Sequence, residues 1–459
     1  MIPIEGQPIL TAAAMRGAEE RGVAAGTSLT TLMERAGEGV AAAVRRLAAG
    51  AEMLILCGPG NNGGDGYVAA RLLAAAGHPV RIAASAEPVT ALARAARDQW
   101  TGPVEALDAA GPAPICVDAL FGIGLSRHVG DDIAHALRRL VGAAHLGIAV
   151  DVPSGIDADD GAAPGDLPTY DLTLALGAIK PAHVLQPGAA RCGTVRLIDI
   201  GIDAAADTHV LAPRRLPVPG PATHKFSRGM VAVVKGRMAG AAQLAAVAAM
   251  HAGAGYVVLL GASLPGPPHA LVRRPFDEDA LSDPRIGAVV IGPGLGRDDG
   301  MRDLLHRVLA SDRALVVDGD ALRLVTPEML AARGGPIVLT PHAGEFAGLF
   351  GAYEGSKIDA ARGAAQRSGA TVVFKGADTV IAEPSGRAAV ATNASAWAST
   401  AGSGDVLAGA IGAALAAGLS PFEAASAGVW MHGTAARRLG PAFVADDLAT
   451  ALAATRADR

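Results

Sequence analysis

Short runs of consecutive apolar residues alternate along this chain with segments whose apolar residues recur at helical spacing. A strand that is buried on both faces has an unbroken apolar run, and such strands occur in parallel sheets covered by helices. The alternation therefore predicts an α/β fold with two series of strands. The predicted strands are residues 53–57, 80–84, 115–120, 147–150, 171–176 and 194–198 in the first series, and 230–234, 256–260, 288–291, 314–317, 336–339 and 371–374 in the second.

Several predicted helices begin beside glycine-rich turns. Residues 11–50 are predicted to form two helices, and the second is expected to start with a hydroxyl cap at Thr30. A glycine-rich loop over residues 58–66 precedes a predicted helix over 67–76, and residues 402–417 predict a tight turn that opens a helix. Glycine lets a backbone approach a ligand closely, and the free N–H groups of a helix N-terminus attract anions.

A proline-rich segment separates the two series of strands. A chain of 459 residues is long for a single core, so two domains are expected. Residues 201–222 contain a proline-rich run that is typical of a linker. We expect a first domain over residues 1–205, a linker over 206–222 and a second domain over 223–459.

Composition narrows the class of partner. With 51% hydrophobic and 18% charged residues the chain is expected to be globular, and its net charge of -5 gives no basic field for nucleic acid.

Residues 239–260 predict a buried helix and strand, so no membrane partner is expected. The N-terminal residues lack the pattern of a signal peptide, and three widely spaced cysteines suit a reducing cytoplasm. We also expect a homo-oligomer that acts on small molecules.

In the first domain, polar residues follow the predicted strands, where ligands bind in open α/β sheets. Residues 61–66 (Asn-Asn-Gly-Gly-Asp-Gly) offer backbone and amide donors to a phosphate. Asn62, Asp118 and Ser154 supply only oxygen ligands, which suit a monovalent cation or Mg²⁺ better than zinc. Arg127 follows two glycines and has the geometry to fork onto a phosphate.

Two carboxyl groups, Asp65 and Asp151, are candidates for proton transfer in this domain. Each residue also has a structural interpretation, since Asp118 and Asp151 can cap turns after strands and Lys180 can be solvated. Taken singly, the caps are favoured. Taken together, three strand ends with these motifs favour a binding site.

Residues 1–205 resemble the YjeF N-terminal domain family of NAD(P)H-hydrate epimerases. That resemblance implies a Rossmann-like three-layer domain that interconverts the R and S hydrates of NADH and NADPH, with K⁺ bound near the site. It is carried by residues 32–37, 61–66, the loop with Arg127, 151–155 and 176–181.

This first resemblance implies roles residue by residue. K⁺ would be bound by Asn62, Asp118 and Ser154, and Asp65 and Asp151 would be the catalytic carboxyl groups. The residues implied to contact the hydrate are Asn61, Asn62, Gly63, Gly64, Asp65, Gly122, Gly124, Arg127 and Asp151.

In the second domain, the motifs are again expected at one edge of a sheet. They are residues 223–229, 252–256, 292–296, 318–322, 340–345, 373–379 and 402–409. Asp405 would lie beside an anion held by the helix N-terminus at Gly404, placed to take a proton from a hydroxyl. The structural alternatives are an aspartate N-cap at 405, a helix cap at Glu345 and a satisfied histidine at 342. His432 is interpreted as structural.

Residues 220–459 resemble the ribokinase-like, ADP-dependent NAD(P)H-hydrate dehydratases. The resemblance implies an α/β/α domain in which Asp405 takes the hydroxyl proton of the S-hydrate as that hydroxyl attacks the terminal phosphate of ADP. Mg²⁺ would accompany the nucleotide. The implied hydrate contacts are Ala254, Gly296, His342 and Asp405, and the implied nucleotide contacts are Lys375, Gly376, Ala377, Asp378, Thr379 and Gly404.

Three functions remain open at this point. The leading hypothesis is a bifunctional repair enzyme, an isomerase and a lyase, for hydrated NADH and NADPH. The alternative is a ribokinase-like kinase of a vitamin precursor that uses ATP and is fused to a non-catalytic binding domain. The third is a binding scaffold, against which the retained Asp65, Asp118 and Asp151 argue.

Overall fold

The computed structural model of this protein describes residues 1–125, 128–214, 216–261 and 266–456. By its contacts the chain divides into two units, Met1–Val210 and Leu211–Arg459. The segment expected as a linker over 206–222 contains a short strand, Thr208–Val210. Among the described residues, no helix is both long enough and apolar enough to span a bilayer.

The first unit is a parallel sheet covered by helices. Its seven strands lie in the order β3-β2-β1-β4-β5-β6-β7, and every neighbouring pair is parallel. Its elements are α1 (Ala12–Ala24), α2 (Leu29–Ala48), β1 (Met53–Cys57), α3 (Asn61–Ala75), β2 (Val80–Ala84), α4 (Ala91–Asp98), β3 (Val104–Ala106), β4 (Ile115–Ala119), α5 (Asp131–Gly142), β5 (Leu146–Val150), β6 (Leu172–Leu176), β7 (Thr194–Ile198) and β8 (Thr208–Val210).

The central strand β1 shows why this unit has three layers. All five of its residues are buried. Met53 and Ile55 belong to a core cluster that includes residues of α2 and α3, whereas Leu54 and Leu56 belong to another cluster that includes residues of α5. Because successive side chains of a strand point to opposite faces, an unbroken apolar run requires helices on both faces.

The start of α3 differs from the sequence prediction. A loop was expected over residues 58–66, but the helix begins at Asn61 with Gly60 as its N-cap. The hydroxyl cap of α2 is also earlier than predicted, because Ser28 rather than Thr30 is its N-cap and accepts from the Thr31 amide at 3.0 Å. The short strand β3 was not predicted.

The second unit is a longer mixed sheet. Its strands run in the order β11-β10-β9-β12-β13-β14-β15-β16-β17, parallel up to β15 and antiparallel from β15 to β17. Its elements are β9 (Met230–Val234), α6 (Ala239–His251), β10 (Tyr256–Leu260), β11 (Val272–Arg274), β12 (Ile286–Ile291), α7 (Asp299–Leu309), β13 (Ala314–Val317), α8 (Pro327–Ala331), β14 (Ile337–Leu339), α9 (Ala343–Phe350), α10 (Lys357–Ser368), β15 (Thr371–Phe374), β16 (Val380–Ala382), β17 (Ala388–Val390), α11 (Ser403–Ala416), α12 (Pro421–Leu439) and α13 (Ala445–Thr455).

Helix α11 is fixed against the sheet by small residues. A Cβ on Gly409 would lie 2.1 Å from the Ala245 carbonyl oxygen of α6, and one on Gly412 would lie 2.6 Å from a Val290 methyl of β12. Only glycine permits such close approach of two backbones. The packing therefore holds the N-terminus of α11 at the carboxyl edge of the sheet, as the turn at Gly402 predicted.

Candidate functional site

The first site lies at the carboxyl edge of the first sheet. Asn61 and Asn62 follow β1, Asp118 lies in β4, and Asp151 follows β5. Cys57 at the end of β1 pairs with Ala119, so these strand ends are level with one another. The parallel register brings together residues that are far apart in sequence.

The glycines at the start of α3 serve packing. A Cβ on Gly63 would lie 1.9 Å from the Gly58 carbonyl oxygen, and one on Gly64 would lie 2.5 Å from the Met33 side chain. Asn61 is the exposed residue of this turn and Asn62 is half-buried, with Asn61 Oδ1 accepting from Thr90 Oγ1 at 2.7 Å. Gly63 and Gly64 therefore pack closely against the protein on their Cβ sides, and their contacts with a ligand stay a prediction.

Asp151 is held in an unusual backbone conformation. Its φ of 64° lies in the left-handed region, which costs a non-glycine residue roughly 1 kcal/mol or more. Its Oδ1 forms a buried ion pair with Lys180 Nζ at 2.5 Å, and its Oδ2 accepts from the Ile123 amide at 3.2 Å. These contacts fix the carboxylate in place.

His183 supports both members of this ion pair. Its Nδ1 accepts from the Lys180 amide at 3.0 Å, so Nε2 carries the hydrogen and donates to the Asp151 carbonyl at 2.7 Å. Burial lowers the pKa of His183 to about 4, and the nearby Lys180 charge adds to this effect. The imidazole is therefore neutral at physiological pH and acts as a fixed donor and acceptor.

Among the residues that the structure describes, Asp65 has no ion-pair partner. Burial raises its pKa well above the ordinary range, and the negative charges of Asp151 and Glu19 add to this shift. Burial also raises the pKa of Glu19, which lies on α1. Because Lys180 is paired with Asp151, Asp65 and Glu19 are the carboxyl groups of this cluster that favour their acid forms, and the pKa of Asp65 lies well above its ordinary range.

These groups line a cavity of about 680 Å³. Of the predicted contacts, the cavity is lined by Asn61, Asn62, Asp65, Gly122, Gly124 and Asp151, together with Lys180 and Glu19. Gly122 is tightly placed, because a Cβ there would lie 2.7 Å from Asp151 Oδ2. The predicted contact Arg127 lies outside the described residues.

Asp118 and Ser154 meet in the interior beneath this edge. Ser154 donates to Asp118 through its hydroxyl at 2.8 Å and through its amide at 3.0 Å, and Tyr170 Oη donates at 2.6 Å. Burial raises the pKa of Asp118, while these hydrogen bonds oppose the shift. Within the described residues, no cationic side chain lies within 4.0 Å of this carboxylate.

Asn62 supplies an unused oxygen at the same edge. Its Oδ1 is buried with no hydrogen-bond partner among the described residues, and its Nδ2 lies 3.4 Å from the Val150 carbonyl. An orphaned amide oxygen and a buried carboxylate without a counter-charge fit a monovalent cation. The four hydrogen bonds on Asp118 mean that this carboxylate would share its oxygens between the ion and protein donors.

The second site lies at the N-terminus of α11. Gly402 is its N-cap with φ 88°, and Asp405 is in its first turn without capping it, so the N-cap alternative for Asp405 is wrong. Burial raises the pKa of Asp405 to about 7, and the negative charge of Asp318 adds to the effect. A carboxyl group that titrates near neutrality next to free helical N–H groups is suited to take a proton beside a bound anion.

Lys375 follows β15, and its ammonium lies beside the first turn of α11. Its Nζ lies 2.9 Å from Asp318 Oδ1 and 3.8 Å from Glu345 Oε2. A Cβ on Gly404 would lie 3.3 Å from the same Nζ. The predicted neighbours Lys375 and Gly404 are therefore adjacent, as the interpretation of one shared anion site required.

His342 and Glu345 form a capping box at the start of α9. His342 Nδ1 accepts from the Glu345 amide at 3.2 Å, and Glu345 Oε2 accepts from the His342 amide at 2.9 Å. The helix-cap alternative for Glu345 is confirmed. The His342 side chain remains 55% exposed, so its ring can still face a ligand while its Nδ1 caps the helix.

The predicted nucleotide segment forms a turn after β15. Thr379 Oγ1 accepts from the Gly376 amide at 3.1 Å. Asp378 is held by Lys357 Nζ at 2.6 Å, and burial lowers the pKa of Lys357. The side chain of Asp378 is thus bound within the protein, whereas Gly376 and Ala377 are exposed.

Ala254 lies apart from the other predicted contacts. It precedes β10, whose first residue Tyr256 pairs with Met230 at the start of β9, so Ala254 is at the amino edge of the sheet. Gly296 and His342 follow β12 and β14 at the carboxyl edge. The expectation of one shared edge therefore holds for Gly296, His342 and Asp405 but not for Ala254.

Comparison with known proteins gives the family of both halves of the chain. One family model, described as YjeF-related protein N-terminus, matches residues 29–182, and another, described as NAD(P)H-hydrate dehydratase, matches residues 231–457. The bifunctional NAD(P)H-hydrate repair enzyme Nnr of Mycobacterium tuberculosis is 38% identical over 86% of each chain. The enzyme of the same name from Salinibacter ruber is 34% identical over 98% of this chain and 96% of its own.

The chain belongs to the bifunctional NAD(P)H-hydrate repair enzyme family. The family resemblance stated from the motifs is thereby confirmed for both halves of the chain. Among solved structures, the ADP/ATP-dependent NAD(P)H-hydrate dehydratase from Bacillus subtilis, co-crystallised with ATP and Mg²⁺, is 26% identical with a TM-score of 0.45. The match covers 52% of this chain and 93% of that chain.

Sequence reasoning about this family member missed several groups that the structure brings to the sites. Glu19 lies on α1, which carried no motif, and Lys357 begins α10 far from the turn it supports. His183 follows Lys180 by three residues, which is the only local signal that it could pair with that segment. Asp318 was part of a motif but had no assigned role. All four act through tertiary contacts.

Proposed function

We propose that this protein repairs hydrated NADH and NADPH at two sites, as an epimerase in its first unit and as an ADP-dependent dehydratase in its second. One observation carries the proposal: in each unit, a lysine–aspartate ion pair lies near a second aspartate whose pKa is raised. These groups are Lys180, Asp151 and Asp65 in the first unit and Lys375, Asp318 and Asp405 in the second. Family membership over most of the chain supports the pairing of the two activities.

In the first unit, Asp65 in its acid form protonates the hydroxyl group of the hydrate, which leaves as water. The Asp151 carboxylate, held by Lys180, stabilises the cationic ring that remains. Water then adds to either face of the ring and returns a proton to Asp65, so the R and S forms interconvert. The residues that would orient the hydrate are Asn61, Asn62, Gly122 and Gly124, which line the cavity.

We propose K⁺ as the cation of the first unit. Asn62, Asp118 and Ser154 would hold it, supported by the orphaned Asn62 oxygen and the buried Asp118 charge. When bound, the ion supplies positive charge that balances Asp118 and fixes the strand ends beneath the cavity.

In the second unit, Asp405 removes the hydroxyl proton of the S-hydrate as that oxygen attacks the terminal phosphate of ADP. The new bond joins the hydrate oxygen to phosphorus, and AMP leaves with the electron pair of the broken P–O bond. The electron pair of the ring nitrogen then expels phosphate and leaves a cationic ring. The adjacent ring carbon loses a proton to the departing phosphate or to water, which restores the reduced coenzyme. The N–H groups of α11 and the Lys375 ammonium stabilise the transferred phosphoryl group.

We propose that Mg²⁺ enters with the nucleotide. The described residues contain no group of three or more His, Cys, Asp or Glu side chains that could hold a metal ion by themselves, so phosphate oxygens would be its main ligands. When bound, the ion supplies charge that neutralises the phosphates. Gly376, Ala377 and Thr379 would contact the nucleotide beside Lys375.

We further propose that the enzyme works in the cytoplasm as a homo-oligomer. Its three cysteines are free and buried, which suits a reducing compartment. Met238 and Trp397 are exposed apolar side chains of the second unit that would suit a contact between copies. Sedimentation of the purified chain tests the oligomeric state.

The test of the function starts from NADH hydrate as a mixture of epimers. With ADP, the wild-type chain should restore the absorbance of the reduced ring completely, because epimerisation feeds the R form into dehydration. A chain that restores only the S fraction would disprove the epimerase. A chain that uses ATP to release a stable phosphorylated product, without restoring the absorbance, would indicate the small-molecule kinase instead.

A further inference from the structure

Asp318 is the buried anion of the second site. It is 2% exposed and lies directly after β13. Its Oδ1 accepts from Thr340 Oγ1 at 2.6 Å and pairs with Lys375 Nζ at 2.9 Å. A Cβ on Gly404 would lie 3.8 Å from Oδ2, so the other carboxylate oxygen faces the first turn of α11.

Besides Glu345, the carboxyl groups of Asp318 and Asp405 lie close enough to Lys375 to interact with its charge. Within the described residues it forms an ion pair with Asp318, whereas none within 4.0 Å joins it to Asp405. A salt bridge to Asp405 would stabilise that carboxylate and make it a weaker base. The Asp318 pair therefore decides how much proton affinity Asp405 keeps.

We propose that Asp318 is a positioning residue of the dehydratase site, which holds the Lys375 ammonium against the first turn of α11 and keeps it from pairing with Asp405. Asp405 thereby stays free to accept the hydroxyl proton, while Lys375 stays directed at the phosphoryl group. This inference rests on the proposed role of Asp405 in dehydration.

Neither Glu345 nor His432 holds Lys375 away from Asp405 as Asp318 does. Glu345 is 3.8 Å from Lys375 and is bound in the capping box of α9. His432 on α12 bonds the Ser403 carbonyl at 3.0 Å, and burial lowers its pKa to about 4, so it stays neutral near pH 7. Burial lowers the pKa of Lys375, but the charges of Asp318 and Glu345 outweigh it, and the ammonium stays charged.

The experiment is the pH profile of ADP-dependent dehydration for Asp318→Asn, with the epimerase activity of the same chain as an internal control. The neutral amide of this variant would leave Lys375 free to pair with Asp405, so the acid limb of kcat should move down by about one pH unit. At pH 8, kcat should fall about tenfold because the base is weaker. Epimerisation should stay unchanged within a factor of about two.

Thr340→Val is the matched control. It removes a hydrogen bond from the same Asp318 oxygen without changing any charge. A structural loss at this position is expected to lower kcat while the acid limb stays where it is in the wild type. An equal shift of the limb in Thr340→Val would overturn the proposed role of the charge.

An unchanged acid limb and kcat in Asp318→Asn would also overturn the inference. If that variant loses epimerisation as well, because the chain fails to fold, Asp318→Glu decides, since it keeps the charge and moves it. In Asp318→Glu the acid limb of the kcat profile should stay at the wild-type pH while kcat is reduced. An acid limb displaced by a full pH unit would contradict the inference. Failure of the proposed function is distinct, because the wild type itself would then show no ADP-dependent dehydration.

Discussion

The two candidate sites use the same charges in different surroundings. In the first unit Lys180 pairs with Asp151 and leaves Asp65 with a raised pKa, and in the second Lys375 pairs with Asp318 and leaves Asp405 with a raised pKa. In both, one lysine cannot neutralise two carboxyl groups. The unpaired carboxyl group is therefore the one whose pKa is raised.

The difference lies in what holds the paired aspartate and what faces the ligand. Asp151 has a strained backbone with φ 64° and lines a cavity of about 680 Å³, which offers room for a ring-shaped substrate. Asp318 lies beneath the N-terminus of α11, where free N–H groups attract phosphate. The comparison teaches that the surroundings of the carboxyl pair, more than the pair itself, separate the two sites.

The largest effect is expected from removing the unpaired carboxyl group of the second site. Asp405→Ala should lower dehydration roughly 10²–10⁴-fold, because the hydroxyl group loses its base. Epimerisation by the same chain should persist. Both rates are measured from restored absorbance and from chromatography of the two epimers, and equal loss of both activities would contradict two independent sites.

Asp151→Ala should produce the reverse pattern. Epimerisation should fall roughly 10²-fold while dehydration of the S form persists. Because Lys180 is 1% exposed, losing its partner should also destabilise the first unit by roughly 3–5 kcal/mol in urea unfolding.

The double variant Asp151→Ala with Lys180→Met is the control for this change. It removes the uncompensated charge, so the stability should recover while epimerisation does not. Recovery of activity along with stability would show that Asp151 serves the fold alone.

The pH dependence of the two activities should run in opposite directions. Asp405 acts as a base, so dehydration should fall about tenfold for each pH unit below its pKa of about 7. Asp65 acts as an acid, so epimerisation should instead fall as the pH rises through its raised pKa. Initial rates of both reactions are measured across pH, with enzyme-free blanks. If both activities change with pH in the same direction, the contrast between the two sites is wrong.

The smallest effect concerns the glycines that shape the first site. Gly63→Ala places a methyl group 1.9 Å from the Gly58 carbonyl and should destabilise the first unit by roughly 1–3 kcal/mol. Gly60→Ala is the matched control, because nothing lies within 4 Å of its Cβ position. The melting temperatures of both variants are compared with that of the wild type. Equal shifts would show that glycine is needed here for its backbone conformation rather than for close packing.

Much of this architecture was predictable because local pattern and strand burial coincide. The strands at residues 53–57 and 230–234 have the predicted bounds, since an unbroken apolar run is stable only between two helical layers. The Gly402 turn and the helix after it were likewise predicted, because glycine at φ 88° precedes a small-residue run that packs on α6.

The sequence by itself determined which carboxyl groups, glycines and lysines were available. It also determined the order along the chain of the strands whose ends carry these residues. Only the tertiary structure decided which lysine pairs with which aspartate, that Glu19 and His183 join the first site, and that Ala254 lies at the opposite edge from Gly296. The physical reason is that an ion pair or a shifted pKa depends on distance and burial across the fold, which no spacing along one chain segment encodes.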